Sequence, residues 1–390
     1  MYRKLALVCV AALCAVPNSM AQTSARKSQE LPSERSIGAI QPVFEFRDAM
    51  PTGVTVSSEG RIFVNFPRWG DDVPFTVGEL RDGKLVPYPD AKINSFDPAR
   101  PRETLSSVQS VVVDPANRLW ILDTGAPGFS AQIVGAAKLV AIDLTTNKIV
   151  KTIVFPATTA TPATYLNDVR FDLRYGKAGV AYITDSSLTG PGSIIVVDLD
   201  SGDSWRKLTG HPSTSADPNF TPVVGGEIMA FRQKGKPPTP IRIAADGIAL
   251  SADGATLYYC PLSSRRLFSV PTALLRDRSA DEAAVAQAVA DLGEKGASDG
   301  LEVDDKGRVY AGDYEHDSIR QRQVDGAWKT IAYDEHILWP DTLSVAKDGY
   351  LYFTANQLDR QPPFHEGQDL RQKPYILFRL KIDAGPVQLK

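Results

Sequence analysis

A recurring hairpin pattern is the feature that most restricts what this chain can form. Its most regular copy is residues 298–319, which read SDGLEVDDKGRVYAGDYEHDSI. Two runs of alternating apolar and polar residues flank the glycine-containing turn at residues 305–307, and this arrangement is typical of a β-hairpin. The pattern occurs six times, and its copies begin at Thr52, Gln109, Asn167, Asp246, Asp299 and Asp341.

The spacing of the six copies predicts a repeat architecture. They start roughly 40 to 80 residues apart, which suits propeller blades joined by loops of uneven length. Further strand-like runs follow each hairpin, so each repeat is expected to form a four-stranded antiparallel sheet. A pair of β-sandwiches would not explain why the same hairpin returns six times. We therefore predict an all-β protein, a six-bladed β-propeller.

Three segments lie outside the regular repeat. In blade four, Ser279 as N-cap and Gly293 as terminator predict one short helical insertion. Residues 211–240 are rich in proline, glycine, serine and threonine, and connections of this length are usually functional or mobile. Residues 42–47 (PVFEFR) alternate but have no hairpin mate nearby. We expect them to close the ring by pairing with residues 375–382, because pairing removes an exposed sheet edge.

The N-terminus has the pattern of a signal peptide over residues 1–21. Arg3 and Lys4 give a basic start, residues 5–16 form an apolar run too short to span a bilayer, and Ala21 is a small residue at cleavage spacing. Nothing later in the sequence is long and apolar enough to cross a membrane. We expect a secreted or periplasmic protein.

The remaining sequence is divided into a flexible leader at residues 22–40 and the propeller at residues 41–390. Cleavage would leave Cys260 as the one cysteine, so a disulfide framework is excluded. We expect Cys260 to pack as a small apolar residue rather than as a reactive thiol.

The charge balance narrows the class of partner. The formal charge is −3, and losing the two positive charges of Arg3 and Lys4 would make it −5. A mildly acidic chain argues against nucleic acid or an anionic membrane as partner. Walker, dinucleotide-binding and G-x-S-x-G motifs are absent from the sequence. We expect a monomer that binds a small molecule, with no nucleic acid partner and no membrane insertion.

The residues at which the six copies begin are the candidate functional residues. The first strand of each propeller blade lines the central axis, so residues just before these strands meet at one mouth of the channel. Their carboxylate and amide oxygens are the ligands that a hard cation such as Ca²⁺ prefers. Converging carboxylates also raise each other's pKa unless a cation neutralises them. The alternative is that these residues form turns and satisfy the first amides of each strand.

Other candidates are weaker. Asp313, His316 and Asp317 resemble a ligand set, but such residues in a hairpin loop are usually solvated. A zinc site is not expected, because the histidines are scattered through polar loops without a cysteine partner. Four aromatic residues near hairpin ends either wall a pocket or pack in the core: Trp69, Phe129, Tyr314 and Trp339.

Several segments carry a family resemblance. PTGVTVSSEGRIFVNFPRW, SVQSVVVDPANRLWILDTG, LNDVRFD, SIIVVDLDSGDSWR and GIALSADGATLYYCPLSSRRLFSV resemble the major royal jelly / yellow protein family, from about Pro42 to the C-terminus. The resemblance implies a secreted six-bladed propeller. It also implies either melanin-pathway chemistry such as dopachrome conversion or binding of biogenic amines in the central channel. The disulfide cysteines typical of insect members are missing, so the chain resembles a bacterial-type member.

A more distant similarity is to gluconolactonase/regucalcin-like propellers, which hold a divalent cation with Glu, Asn and Asp before inner strands. By position, this similarity implies metal ligands at Asn167, Asp246 and Asp299, with Asp246 replacing an asparagine. It also implies that Asp299 is the acid/base residue of lactone hydrolysis. The chain departs from that pattern at Thr52, where those propellers have glutamate, and Asp341 is an additional carboxylate.

The leading hypothesis is a small-molecule site at the channel mouth that performs metal-assisted lactone hydrolysis or tautomerisation. Asp299 would be catalytic, with Gly300 letting the backbone approach a ligand. The metal, with Ca²⁺ favoured, would be bound by Asn167, Asp246 and Asp299. Thr52, Gln109, Asn167 and Asp341 would contact the ligand. The alternatives are a non-catalytic binder of small cationic amines or other small ligands, and a scaffold whose mouth does no chemistry.

Overall fold

The structure is a computed structural model that describes residues 35–390, so the predicted signal peptide and residues 22–34 of the leader lie outside the described residues. Ser36–Lys390 form one compact unit. Within it, six four-stranded antiparallel sheets follow one another along the chain. The prediction of an all-β, six-bladed propeller is confirmed.

The first three blades use consecutive strands, each running from the innermost to the outermost position of its sheet. β1 (Gln41–Phe46) comes first in the chain but belongs to blade six. Blade one contains β2 (Val54–Val56), β3 (Ile62–Asn65), β4 (Val77–Arg81) and β5 (Lys84–Pro87), and helix α1 (Ala91–Asn94) follows it. Blade two contains β6 (Val108–Val113), β7 (Arg118–Asp123), β8 (Lys138–Asp143) and β9 (Lys148–Val154). Blade three contains β10 (Leu166–Asp172), β11 (Val180–Asp185), β12 (Ser193–Asp198) and β13 (Ser204–Lys207).

The connection between blades three and four forms two small hairpins, and the last three blades then complete the ring. The hairpins are β14 (Val223–Val224) with β15 (Glu227–Ile228) and β16 (Ala230–Phe231) with β17 (Thr239–Pro240). Blade four contains β18 (Ala245–Leu250), β19 (Thr256–Pro261), β20 (Arg266–Pro271) and β21 (Ala290–Glu294). Blade five contains β22 (Ser298–Val303), β23 (Val309–Asp313), β24 (Ser318–Arg322) and β25 (Trp328–Tyr333). Blade six contains β26 (Pro340–Val345), β27 (Tyr350–Ala355) and β28 (Tyr375–Lys381), with β1 outermost. Four 3-10 turns lie in the connections, at Pro127–Phe129, Pro212–Thr214, Leu358–Arg360 and Pro362–Phe364.

Strand β1 closes the ring as predicted. It runs antiparallel to β28, with Gln41 opposite Arg379 and Phe46 opposite Tyr375. Just before β1, Ile37 forms two backbone hydrogen bonds of 2.9 Å with Tyr333 of blade five. The sheet edge of blade six is therefore covered by the N-terminal part of the propeller.

The insertion in blade four differs from the prediction of one helix ending at Gly293. It contains two short helices, α2 (Thr272–Arg276) and α3 (Glu282–Gln287), and Asp281 rather than Ser279 precedes α3. From Ala290 onwards the chain pairs with β20 as the outermost strand, and Gly293 lies inside that strand with φ +86°. Pairing along an open sheet edge gives these residues more hydrogen bonds than a longer helix exposed on the surface would.

The innermost strands β2, β6, β10, β18, β22 and β26 contact one another in a closed ring around the axis. Gly247 follows Asp246 and Gly300 follows Asp299, and both glycines lie in this ring of inner strands. A Cβ at Gly247 would lie 2.4 Å from the carbonyl oxygen of Asp299, and one at Gly300 would lie 2.4 Å from that of Asp341. The role of Gly300 is thus close approach to the next blade, not to a ligand as we predicted.

Apolar residues fill the spaces between neighbouring blades. Leu122, Leu139, Val169 and Ile183 belong to one cluster between blades two and three, and equivalent clusters follow around the ring. Burial of such side chains is worth about 1.5–3 kcal/mol each, so this packing fixes the position of every inner strand. Among the described residues, no helix is both long and apolar enough to cross a membrane.

Candidate functional site

The six predicted residues lie at one end of the channel, which we call the acidic end, where the inner strands begin. Each of them is at most 8% exposed. They do not form an even ring, because three carboxyl groups lie close together while two of the other side chains are bound to neighbours in the first three blades. The residues are Thr52, Gln109, Asn167, Asp246, Asp299 and Asp341.

Asp246, Asp299 and Asp341 form the core of the acidic end. A hydrogen bond between the carboxyl groups of Asp246 and Asp299 contributes to the pKa shifts of both residues. Burial, followed by the charge of Asp299, raises the pKa of both Asp246 and Asp341 well above the ordinary value. Burial also raises the pKa of Asp299, although the hydrogen bond with Asp246 opposes it. Three carboxyl groups therefore share a site that cannot easily hold three negative charges.

Amide and hydroxyl groups of neighbouring strands orient two of these carboxyls. Asn167 donates from Nδ2 to Oδ1 of Asp246 over 2.6 Å, and Ser186 donates from Oγ to Oδ2 over 3.0 Å. In blade six, Asn356 donates from Nδ2 to Oδ2 of Asp341 over 2.6 Å. The predicted convergence of Asn167 with the aspartates is therefore observed. Ser186 and Asn356 were missed because each stands at the end of a second strand, outside the pattern that we used.

Trp339 orients the carboxylate of Asp299. Its Nε1 donates to Oδ2 of Asp299 over 2.8 Å, and its ring stacks on Tyr314 with centroids 4.1 Å apart and an interplanar angle of 7°. Tyr314 is fixed in turn by its hydroxyl, which donates to the carbonyl of Leu262 over 2.7 Å. Trp339 has φ +55°, a left-handed backbone that bulky residues rarely adopt. Such strain persists where surrounding packing enforces it, which is common at functional sites.

Thr52 and Gln109 are held by different partners. The Thr52 hydroxyl accepts a hydrogen bond of 2.8 Å from Nδ2 of Asn65 and is fully buried. Oε1 of Gln109 accepts from the hydroxyl of Tyr165 over 3.0 Å, and that hydroxyl accepts from Nε1 of Trp69 over 2.7 Å. Thr52 thus stabilises the entry to β2, whereas Gln109 ends a chain of hydrogen bonds at the mouth.

Tyr165 is a site residue that the sequence analysis missed. Its ring stacks on Phe129, which stacks on Trp69, with both pairs of centroids 5.1 Å apart. Burial and the charges of Asp246 and Asp341 raise its pKa, which places its ring near the carboxyl cluster. The available signal was its position two residues before Asn167, where it precedes an inner strand. Trp69 and Phe129 were candidates by the same reasoning, and the three rings form one wall.

An apolar cluster from four connections covers the acidic end. It joins Phe220, Met229 and Ile241 of the blade three–four connection to Tyr314, Trp339 and Phe364 of blades five and six. Phe231 of β16 stacks on Phe364 with centroids 5.3 Å apart, so the second of the two hairpins after blade three reaches blade six. The long connection therefore packs over the Trp339 side of the acidic end.

A second set of aspartates lies at the ends of second strands, next to the acidic end. Asp123, Asp185 and Asp313 each end the second strand of a blade. Asp123 accepts from the amides of the residues that lead into β6 and pairs with the fully buried Lys138 over 2.7 Å. Asp185 accepts from the amide of Tyr165 over 2.9 Å. Asp123 and Asp185 thus fix where β6 and β10 begin. The matching strand endings LWILD, AYITD and VYAGD are the sequence signal that could have found these aspartates.

Of the three candidates in the hairpin loop of blade five, His316 is exposed, Asp317 is half-buried and Asp313 is buried. Carboxylate and ring atoms of Asp313, Glu315 and His316 approach within 4.8 Å of one another. Glu315 is bound by Arg265 over 2.6 Å, and Asp313 by His316 over 3.1 Å, so both side chains already have partners. Cys260 is fully buried, as expected of a small apolar residue.

The donor set at the acidic end fits a hard divalent cation. Asp246 and Asp299 offer carboxylate oxygens and Asn167 offers an amide oxygen. Burial, followed by the charge of Asp299, raises the pKa of Asp246 and of Asp341. A cation would offset this mutual repulsion. The arrangement also suits proton transfer, because Asp246 and Asp299 hydrogen-bond to each other.

Comparison with known proteins identifies the family of the chain. The model of the family described as "Major royal jelly protein" matches residues 106–375. "Protein yellow" of Drosophila erecta is 30% identical over 256 residues, which is 60% of this chain and 43% of the fly protein. The chain thus aligns with less than half the length of the curated relatives that it matches.

Solved structures with the same fold have much lower identity. A calcium-binding protein, regucalcin, from Agrobacterium tumefaciens has a TM-score of 0.52 at 14% identity, covering 89% of this chain and 96% of its own. A gluconolactonase from Xanthomonas campestris has a TM-score of 0.51 at 12% identity, covering 90% of this chain and 99% of its own. At these identities the likeness establishes the propeller fold alone.

Proposed function

Since the chain belongs to the major royal jelly protein family, we propose that it uses the acidic end of its channel as a small-molecule site. The proposed reaction is metal-assisted hydrolysis of a lactone, or a tautomerisation. The observation that carries the proposal is the convergence of Asp246, Asp299 and Asp341, three buried carboxyls with raised pKa values. Carboxyls collected in this way are costly for stability alone, so a functional reason is favoured.

Each residue has a role in this proposal. Asn167, Asp246 and Asp299 would hold the cation, with Ca²⁺ favoured because the cluster offers oxygen donors without cysteine or histidine. When bound, the cation would polarise a substrate carbonyl. Asp299 moves the proton, since Trp339 orients its carboxylate. Gln109 and Asp341 bind polar groups of the substrate, and Thr52 is left out because its hydroxyl is bound to Asn65.

The test is elemental analysis of purified protein together with a chelator titration. Ca²⁺ at a hundred times its dissociation constant should stabilise the fold by about 2.7 kcal/mol, and a chelator should remove that gain. Asp246→Asn should lower Ca²⁺ affinity, whereas Asp325→Asn in an exposed turn should not. A panel of lactones, catechols and amines then identifies the substrate. If no metal co-purifies and the chelator leaves the melting temperature unchanged, the metal is rejected.

Amine binding without catalysis is the second candidate. The observation that favours it is the stacked pair of Tyr314 and Trp339 beside Asp299, because aromatic faces next to carboxylates suit an organic cation. In this case amines from the panel bind, no substrate is turned over, and a chelator has no effect. Turnover of any panel compound that Asp299→Asn abolishes would exclude this candidate.

Export is part of the proposal and rests on residues 1–21. A basic start and an apolar run that ends in small residues are read as a cleavable signal. N-terminal sequencing of the protein recovered from the periplasm or medium should show a chain that lacks this segment. Recovery of the uncleaved chain from the cytoplasm alone would reject it.

A further inference from the structure

The opposite end of the channel, where the inner strands finish, holds a separate cavity that we call the far cavity. Its volume is about 460 Å³, within the range of small-molecule sites, and all six blades contribute to its wall. Apolar residues such as Val56, Val113 and Val345 alternate there with charged ones. None of the six candidate residues of the acidic end belongs to this wall, so the far cavity is a different place in the molecule.

The C-terminal segment, residues 385–389, forms part of the wall. The amide of Asp305 donates to the carbonyl of Gly385 over 2.9 Å, and the amide of Leu173 donates to the carbonyl of Leu389 over 2.8 Å. Leu389 is 3% exposed and packs in the core cluster between blades three and four. The segment therefore contacts blades three, four and five.

A buried ion pair forms the inner surface of the far cavity. Arg170 is 8% exposed; its Nη1 donates to Oδ2 of Asp168 over 2.8 Å and its Nη2 to the carbonyl of Leu301 over 2.7 Å. Oε2 of Glu302 lies 3.7 Å from the same Nη2. The Nε of Arg170 has no hydrogen-bond partner, and neither has Oδ1 of Asn117, another wall residue. Donor and acceptor capacity thus remains unused in this wall.

The rim carries both signs of charge. Asp305 and Lys347 both line the far cavity, and within residues 35–390 neither forms an ion pair. Burial raises the pKa of Glu302, with Arg170 acting in the opposite direction, so this carboxylate gains from a further positive partner. A ligand with only an ammonium group would face the positive charges of Lys347 and Arg170. A ligand with only a carboxylate would face the negative charges of Glu302 and Asp305.

We propose that the far cavity binds a small zwitterion, a molecule with an ammonium and a carboxylate group on a compact apolar frame, as in α-amino acids. Its ammonium group contacts Glu302 and Asp305, and its carboxylate contacts Lys347. The valines around the axis pack against its apolar part. The C-terminal segment contributes one wall, so binding depends on residues 385–389. This site does not depend on the function proposed for the acidic end.

The first test is calorimetric titration of the full chain, in the presence of a chelator, with the twenty amino acids. The best ligand is then compared with its decarboxylated amine and its deaminated acid, which share its carbon skeleton. The zwitterion should bind at least tenfold tighter than either analogue, because each analogue loses one charge partner. Equal binding of the amine would overturn the proposal, and so would dissociation constants above ten millimolar for every amino acid.

The second test locates the ligand. Glu302→Gln should weaken binding about tenfold, and Lys347→Ala, an exposed position whose change leaves the fold intact, should weaken it several-fold. Lys84→Ala, an exposed lysine on the outer strand of blade one, is the matched control and should have no effect. Unchanged affinity in both far-cavity variants would overturn the proposal.

A last comparison separates this site from the acidic end. Asp299→Asn should keep the affinity for the zwitterion within twofold, even if it removes turnover. Loss of zwitterion binding in Asp299→Asn would place the ligand at the acidic end and overturn the proposal. Failure of the metal test leaves this result untouched, because the titration is done with chelator present.

Discussion

The two ends of the channel are built from the same six inner strands and differ in what covers them. At the acidic end, long connections bring aromatic rings over three carboxyls that are at most 7% exposed. At the far cavity the hairpin turns are short, such as the turn at residues 304–308, so the C-terminal segment supplies the cover. In this propeller, therefore, the inner strands determine where the site residues lie, and the connections determine which groups surround them.

The hydrogen-bond partners of charged groups differ in the same way. At the acidic end the buried carboxyls contact amides, an indole and one another. Burial raises their pKa values, and the hydrogen bonds from the indole and the Asn356 amide oppose this rise without cancelling it. At the far cavity, Asp168 lies against Arg170, and the charges at the rim are of both signs. One end therefore favours a cation or a proton, and the other a ligand of mixed charge.

Deleting residues 42–47 should have the largest effect, because it affects both ends at once. Without β1, strand β28 becomes an open edge and Phe46 is lost from the core, which should cost at least about 5 kcal/mol of stability. The melting temperature measures this. Deleting residues 22–34 is the matched control and should change little. Equal effects of the two deletions would show that closure is not needed to hold the two ends together.

Asp299→Asn should affect the acidic end alone. It keeps the size and the hydrogen bond from Trp339 but removes proton transfer, so turnover of the identified substrate should fall about a hundredfold or more. Steady-state kinetics measures the loss, circular dichroism checks the fold, and Asp325→Asn is the control. A folded Asp299→Asn variant with full turnover would transfer the catalytic role to Asp246 or Asp341.

Removing residues 385–390 should affect the far cavity alone. The loss of the buried Leu389 and of two backbone hydrogen bonds should lower the free energy of unfolding by about 4 kcal/mol. Ca²⁺ affinity at the acidic end should not change. Removing only Lys390 is the control, because it leaves Leu389 in place. A changed Ca²⁺ affinity after truncation would mean that the two ends are coupled.

Asp317→Asn should give the smallest effect, and one that depends on pH. Burial, followed by the charge of Asp359, raises the pKa of Asp317 to about 6. The folded state then holds this proton more tightly than the unfolded state, so the wild type loses stability as pH rises from 4 to 6. The variant should be more stable by about 1 kcal/mol at pH 7–8, allowing for solvent screening, and equal at pH 4. Asparagine tolerates the left-handed backbone at φ +45°. Equal stability curves would mean that Asp317 has an ordinary pKa.

The sequence predicted the propeller because a hairpin that returns six times is a local pattern. It also placed Asp246, Asp299 and Asp341 near one another, because residues that precede inner strands must meet. What it did not predict are contacts between blades. Tyr165 and Trp69 are 96 residues apart, and Asn167 and Asp246 are 79 apart, so no local spacing announces them. The predicted helix in blade four was too long because residues 290–294 pair with the open edge of β20, a contact that the local sequence does not reveal.

The closure of blade six also determines when the molecule can fold. Gln41 lies beside Arg379, 338 residues later in the chain, so the last sheet cannot form until almost the whole polypeptide is available. Contacts of such long range make folding slow relative to domains rich in local contacts. The export that we propose would benefit from slow closure, since a polypeptide that stays open can be threaded through a narrow pore. The six residues of β1 thus also determine how much of the chain must be available before the last sheet forms.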